Sequence, residues 1–157
     1  IVILTNNDNQ NFFEALRYQV LEAYLGVPFV DRGKALFGLF SQGVKQTEKD
    51  ISTMNEMAGR KVATTIPMED FTGEYQNRVY GKISISKSGD RLICRFEHHP
   101  GLVGYMDHME NNEFRITYSH IGYGIYPARF TISGGRAVAI VLRVNESLES
   151  DPYTFTR

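Results

Sequence analysis

The chain has 157 residues, 42% of them apolar, and a formal net charge of −1, which allows one ordinary domain, or a domain of about a hundred residues with an appendage. The charge divides evenly, with six Lys/Arg against seven Asp/Glu in residues 1–60 and eleven of each in residues 61–157, so no basic face is implied and nucleic acid is not expected as a partner. No apolar run approaches the ~20 residues of a membrane span, and the lone Cys94 offers neither a disulfide framework nor a cysteine pair for zinc.

Ile1-Val2-Ile3-Leu4 is apolar at every position rather than at alternate ones, which predicts a strand buried on both faces inside a larger sheet. A polar turn, Thr5-Asn6-Asn7-Asp8-Asn9, follows it. A helix is expected from about Asn11, with Phe13, Leu16, Val20 and Tyr24 on one stripe and Gly26 placed to end it. From residue 31 to about residue 57, Leu36, Phe40, Val44, Thr47, Ile51 and Met54 recur at spacings of three and four, which describes one face of a second helix. Lys45, Glu48, Lys49, Ser52 and Glu56 make its polar face. Gly33, Gly38 and Gly43 each cost about 1 kcal/mol in a helix interior, so its first half is expected to bend or break, most plausibly near Gly43.

From Pro67 onward the period is two. Ile83 and Ile85 alternate with Lys82, Ser84 and Ser86, and Leu92, Cys94 and Phe96 with Arg91, Ile93 and Arg95. Phe114, Ile116 and Tyr118 flank Arg115 and Thr117, while Val138, Ile140 and Leu142 alternate with Ala137, Ala139 and Arg143. Ser88-Gly89-Asp90, Asn111-Asn112 and Gly134-Gly135 mark the turns between runs. About eight short strands with one apolar face each predict an antiparallel meander, and closing it into a barrel removes its exposed edges.

The opening "IVILTNNDNQ" with the helix behind it resembles the C-terminal strand and helix of serine hydrolases related to penicillin-binding proteins and class C β-lactamases. The segment "MEDFTGEYQNRVYGKISISKSGDRLICRF", then "YMDHMENNEFRITY" and the closing "DPYTFTR", looks like the lipocalin-like barrel that follows the catalytic domain in many of these hydrolases. The resemblance implies three parts: residues 1–26 as the terminal strand and helix of a truncated catalytic domain, residues 27–66 as a helical connector, and residues 67–157 as an antiparallel β-barrel. The expected class is therefore mainly β with N-terminal helices, an α+β arrangement. A periplasmic or extracellular location is implied by the same resemblance.

The family's three motifs, Ser-x-x-Lys, Tyr-x-Asn and Lys- or His-x-Gly, have counterparts here in Ser84-Ile85-Ser86-Lys87, Tyr75-Gln76-Asn77 and His99-Pro100-Gly101. A Ser and a Lys three residues apart share a face on a helix but point to opposite faces of a strand, so Lys87 is not expected to activate Ser84. Tyr-x-Asn also precedes Ser-x-x-Lys, the reverse of the family order. No catalytic residue is assigned, and this chain is not expected to be an enzyme, although the resemblance implies a serine hydrolase as its parent. His98, His99, His108 and His120, with Asp107 and Glu110, show no metal-ligand spacing, so neither a metal nor a cofactor is expected. His98-His99-Pro100-Gly101 reads as a turn with solvated imidazoles.

Aromatic residues crowd one third of the chain, where Tyr105, Phe114, Tyr118, Tyr123, Tyr126 and Phe130 are interrupted by Gly104, Gly122 and Gly124. Packing in the barrel core and at its rims accounts for such a cluster. The sharper reading is a barrel mouth gripping an apolar or peptide-like ligand, with Tyr105, His108, Tyr118, Tyr123 and Tyr126 as candidates and a loop around "SHIGYGIYP" beside it. The favoured function is a non-catalytic accessory domain that shapes substrate access or assembly of a parent hydrolase, its partner being the catalytic domain of the same polypeptide. The alternatives are a lipocalin-like small-ligand carrier and an interaction module that forms a homo-oligomer, dimerising through the connector helix, whose apolar stripe runs from Leu36 to Met54, or through the barrel rim.

Overall fold

The computed structural model of the chain describes residues 2–4, 6, 10–144 and 151–157. Ile1 of the expected strand, and Thr5, Asn7, Asp8 and Asn9 of the expected turn, lie outside the described residues. The chain divides into two compact units, Ile1–Asp50 and Ile51–Arg157.

In the first unit, the expected helix forms as α1 (Gln10–Tyr24); of the expected stripe Phe13, Leu16 and Val20 are half-buried, whereas Tyr24 is exposed and Ala15 is buried instead. Gly26 ends it in the left-handed conformation, φ +66°, its N–H donating to the Ala23 carbonyl at 3.4 Å while Val27 N–H donates to the Glu22 carbonyl at 3.0 Å. That pair of bonds satisfies carbonyls the helix end would orphan, and a residue without Cβ adopts the conformation at no steric cost. Helix α2 (Arg32–Gly59) starts at Asp31, whose Oδ1 accepts the Lys34 N–H at 2.8 Å as an N-cap. The Arg32 guanidinium donates to Glu22 Oε1 from Nε at 3.0 Å and Nη2 at 2.6 Å, tying α2 to α1.

Two expectations for this region are corrected. α2 runs unbroken through Gly33, Gly38 and Gly43, because breaking it inside would surrender hydrogen bonds on both sides and require a new nucleus. Residues 2–4 form no strand, and Val2 and Leu4 are exposed. A strand needs a ladder for its N–H and C=O groups, and the sheet of this molecule has no open edge to offer one.

That sheet is a closed antiparallel barrel in sequence order: β1 (Gly73–Asn77), β2 (Gly81–Ser88), β3 (Arg91–Phe96), β4 (His99–Glu110), β5 (Glu113–Tyr118), β6 (Ile125–Ser133), β7 (Arg136–Leu142) and β8 (Tyr153–Thr156), with β8 pairing back onto β1. The expected class, mainly β with N-terminal helices and an eight-stranded antiparallel barrel, is what the chain adopts. Gly89-Asp90, Asn111-Asn112 and Gly134-Gly135 form the expected turns. Ile83, Ile85, Phe114, Ile116, Tyr118, Ile140 and Leu142 point into the barrel, all buried, and Lys82, Ser84 and Ser86 point out.

Four further features shape the interior. In β7 the register shifts so that Ile132 pairs with Ala137 and Thr131 with Ala139, leaving Val138 as a bulge. Ala137 is thereby buried in the core and Val138 displaced from it, the reverse of their predicted faces, since one extra residue inverts the parity of everything beyond it. In β4, Gly104 faces inward, and a methyl group there would lie 2.6 Å from Ile116 Cδ1. The missing side chain is the space Ile116 occupies. Finally, a 3-10 turn (Met68–Phe71) delivers Phe71 into one end of the barrel, where its ring meets Phe114 and Phe130 edge-on at 5.1 and 4.9 Å. Phe96, expected inside, is only half-buried at the opposite end.

Candidate functional site

The five aromatic and histidine candidates do not meet in one place. Tyr118, Tyr123 and Tyr126 gather at the barrel end opposite Phe71, with the Tyr118 and Tyr123 rings 6.1 Å apart. Tyr118 is buried and its hydroxyl donates to the Arg143 carbonyl. Burial, reinforced by the neighbouring Cys94 and Tyr126, pushes the phenol well above its ordinary range. The segment between them is a 3-10 turn (Ile121–Tyr123). Gly124 follows it with φ +73°, and a methyl group there would lie 3.1 Å from the Tyr126 hydroxyl. Tyr105 lies elsewhere, on the outer face of β4, beneath the Arg91 guanidinium at 5.8 Å.

His108 lies towards the Phe71 end of the same strand. Its Nδ1 sits 2.9 Å from the Val62 carbonyl and its Nε2 2.9 Å from the Asn111 carbonyl, with Phe114 edge-on at 5.1 Å. Both neighbours are acceptors, so a neutral ring can donate to one and an imidazolium to both. The ring pins the segment that leaves α2 onto the β4–β5 hairpin, and Thr65 Oγ1 adds a bond to Asn112 Oδ1 at 2.6 Å.

The motif counterparts are spoken for structurally. Ser84 faces solvent, whereas Lys87 has the inward parity of Ile83 and Ile85 and reaches Glu69 at 2.5 Å. The Lys87 bond, then Glu69's own main-chain N–H, holds the Glu69 carboxyl below its usual range. Tyr75 is buried, its hydroxyl donating to the Phe71 carbonyl at 2.6 Å and accepting from Arg157 Nη2 at 3.2 Å. Asn77 Oδ1 accepts the N–H groups of Val79 and Tyr80 at 2.8 and 3.0 Å, an Asx turn. The expected turn at 98–101 is corrected: the turn is Glu97-His98, and His99, Pro100 and Gly101 already belong to β4, because the Phe96–His99 pairing continues the β3–β4 ladder past a bulge. Cys94 is fully buried and burial pushes its thiol up to about 12, which makes it packing rather than a nucleophile.

One concave surface of the barrel unit combines charge with apolar area. A groove of about 710 Å³ runs between the segment 61–68 and the β2–β3 hairpin. On its floor Asp107 bridges two strands: Oδ1 accepts from Arg91 Nη2 at 2.8 Å and Oδ2 from Arg115 Nη2 at 2.6 Å. Arg115 Nη1 donates to Asn55 Oδ1 in the last turns of α2 at 2.5 Å. Arg115 Nε is buried without an acceptor among the described residues. Sequence reasoning put Asp107 among scattered metal candidates and missed Arg91 and Arg115. Cross-strand register brings the three together, and only the strand parity of Arg91, Asp107 and Arg115 hinted at it.

Residues 60–157 match a family model described as a domain of unknown function, DUF3471. The chain belongs to the DUF3471 family. The match takes in the whole barrel, the Phe71 turn and most of the groove wall. No curated protein matches the chain. Among solved structures, the DUF3471 barrel is similar to the crystal structure of the C-terminal domain of penicillin binding protein Rv0907, with 19% identity and a TM-score of 0.47 over 61% of this chain and 88% of that one.

Proposed function

We infer that the DUF3471 barrel is an accessory domain of a β-lactamase-like serine hydrolase, non-catalytic itself and acting on substrate access or on assembly of its parent. The observation that carries this reading is the fate of the motif counterparts: Ser84 and Lys87 diverge across β2, and the Tyr75 hydroxyl is sealed against the Phe71 carbonyl. A Ser, Lys and Tyr so placed cannot exchange a proton, because general-base activation needs direct hydrogen-bond reach. The segments that carry the resemblance to the family's barrel all lie in the barrel unit, from the Phe71 turn through β3, along the second half of β4 and β5, and in β8 where the barrel closes. The implied activity of the parent is acyl transfer from peptide, ester or β-lactam substrates, and the implied location is periplasmic or extracellular. No described helix is long and apolar enough to cross a membrane.

Two measurements test this reading. The coding sequence ahead of Ile1 should contain a helix-borne Ser-x-x-Lys, and an upstream region without one would remove the parent hydrolase from the account. The chain alone should hydrolyse β-lactams, aminoacyl esters and D-amino-acid peptides no faster than buffer. Activity lost in Ser84→Ala would make it an enzyme instead.

A further inference from the structure

We propose that the groove between segment 61–68 and the β2–β3 hairpin is a peptide-docking site that receives a carboxylate side chain on the Arg91–Arg115 pair. Three observations carry it. Arg91, Asp107 and Arg115 form a cluster of two guanidiniums on one carboxylate, so one positive charge remains at the groove floor. Lys61 and Asp90 on the walls pair with each other at 3.6 Å, and Lys87 pairs with Glu69 at 2.5 Å, which leaves the floor as the place where the charge is uncompensated. Arg115 Nε is a further buried donor, without an acceptor among the described residues, and an unpaired polar group of this kind favours any acceptor that reaches it. The fork geometry of guanidinium suits a carboxylate, which can accept from both arginines at once.

The remainder of the groove favours a peptide over a free anion. Val62, Ala63, Ile66 and Met68 supply apolar wall beside the charged floor, and a volume of about 710 Å³ is many times what a carboxylate alone fills. Among the described residues, the main-chain N–H groups of residues 62–66 donate to no other main-chain group, so a peptide backbone passing along this wall finds donors for its carbonyls. Asp107 holds both arginines in place before a ligand arrives, which lowers the ordering cost of docking. The proposal concerns binding alone and stands whether or not a parent hydrolase is found.

The probes are the capped pentapeptide Ala-Val-Glu-Val-Ala, its Gln counterpart and sodium acetate, titrated into the full chain and followed by ¹H–¹⁵N chemical shifts, including arginine Nε–H signals. The Glu peptide should move the amides of residues 62–66 and the Arg115 Nε–H signal, and bind about tenfold or more tighter than the Gln peptide, the difference expected of a charge-assisted pair. Arg91→Gln, which keeps the Arg115–Asp107 bridge, should weaken the Glu peptide by a similar factor without shifting the melting midpoint. Lys82→Gln, at the end of β2 away from the groove, should leave binding unchanged. Shifts outside the groove, equal response to both peptides, or full reproduction of the effect by acetate would each overturn the proposal.

Discussion

The barrel and the helical unit of residues 1–50 solve the problem of apolar burial in opposite ways. In the barrel, Phe71, Phe114 and Phe155 have 0% of their surface exposed, because eight strands closed on themselves bound an interior that side chains can fill. In the helical unit, Phe12, Phe29 and Phe37 are 59%, 79% and 72% exposed, and Ala15 is its one described residue in the buried class. Two helices bound a line of contact rather than a volume. Their order comes from local devices instead, namely the Gly26 closure, the Asp31 cap and the Arg32–Glu22 pair. Stability in one region is thus held by packing, and in the other by helix ends.

The largest effect should separate the two regions directly. Phe114→Ala removes a ring that touches Phe71, Phe130 and His108 and should cost about 3–5 kcal/mol, with Ile116→Ala and Ile140→Ala at about 2–5 kcal/mol. Phe37→Ala should change stability by no more than about 0.5 kcal/mol, as exposed positions generally do. Denaturant unfolding with tyrosine fluorescence measures the set. Comparable losses at Phe114 and Phe37 would break the contrast.

Much of that contrast was legible in the sequence. The apolar alternation of β2 and β5 and the turn residues at 89–90, 111–112 and 134–135 specify a meander of hairpins, and the 3.6-residue stripes specify the helices. The β7 bulge was not legible, because a one-residue insertion in Val138-Ala139-Ile140 leaves every residue type plausible on either face; only the opposing strand decides. Phe71 as an interior residue was hidden for a related reason: it comes from a 3-10 turn outside any strand, so period-two reasoning never reaches it. The candidate site fared worst. Tyr118, Tyr123 and Tyr126 do share one barrel end, but Tyr105 has outward parity on β4 and His108 sits near the other end, facts that follow from strand length and register rather than clustering in sequence.

The second prediction sharpens the contrast through pH. Burial raises the Cys94 thiol from its ordinary 9.0 to about 12, and raises the Tyr75 and Tyr118 phenols as well. These groups hold their protons longer in the folded barrel than in the unfolded chain, so the unfolded state binds fewer protons and stability falls as pH rises. For Cys94 the loss begins near pH 9 and is complete above about 12, amounting to roughly 4 kcal/mol. Barrel unfolding followed from pH 8 upward should show this decline, and Cys94→Ala should flatten it between pH 9 and 10, below the phenol range. An unchanged slope in that variant would clear the thiol of responsibility.

A smaller effect is expected at His108, where the barrel holds the segment that leaves α2. His108→Phe keeps a ring beside Phe114 but removes the nitrogens facing the Val62 and Asn111 carbonyls, so at least one of them loses its donor, which should cost about 1–3 kcal/mol. Amide chemical shifts should change at residues 61–66 and 111–112 more than in the β1–β2 ladder. Uniform changes across the barrel would show that the ring acts through the core and not as a clasp.

The smallest effect tests the helical side. Gly26 closes α1 at φ +66°, and a methyl group there would meet nothing within 4 Å, so Gly26→Ala introduces no clash and isolates the cost of a left-handed backbone. That cost is about 1 kcal/mol. It falls on a helix held mainly by its ends, so the last turn of α1 should fray and the Val27 N–H to Glu22 carbonyl bond should open, visible as faster amide exchange at Gly26→Ala itself and at Val27. The barrel transition should not move, because none of the bonds lost belongs to the unit beginning at Ile51. A shift of the barrel midpoint comparable to that of His108→Phe would mean that the closure of α1 is thermodynamically coupled to the barrel, and packing and helix ends could no longer be treated as separate sources of order.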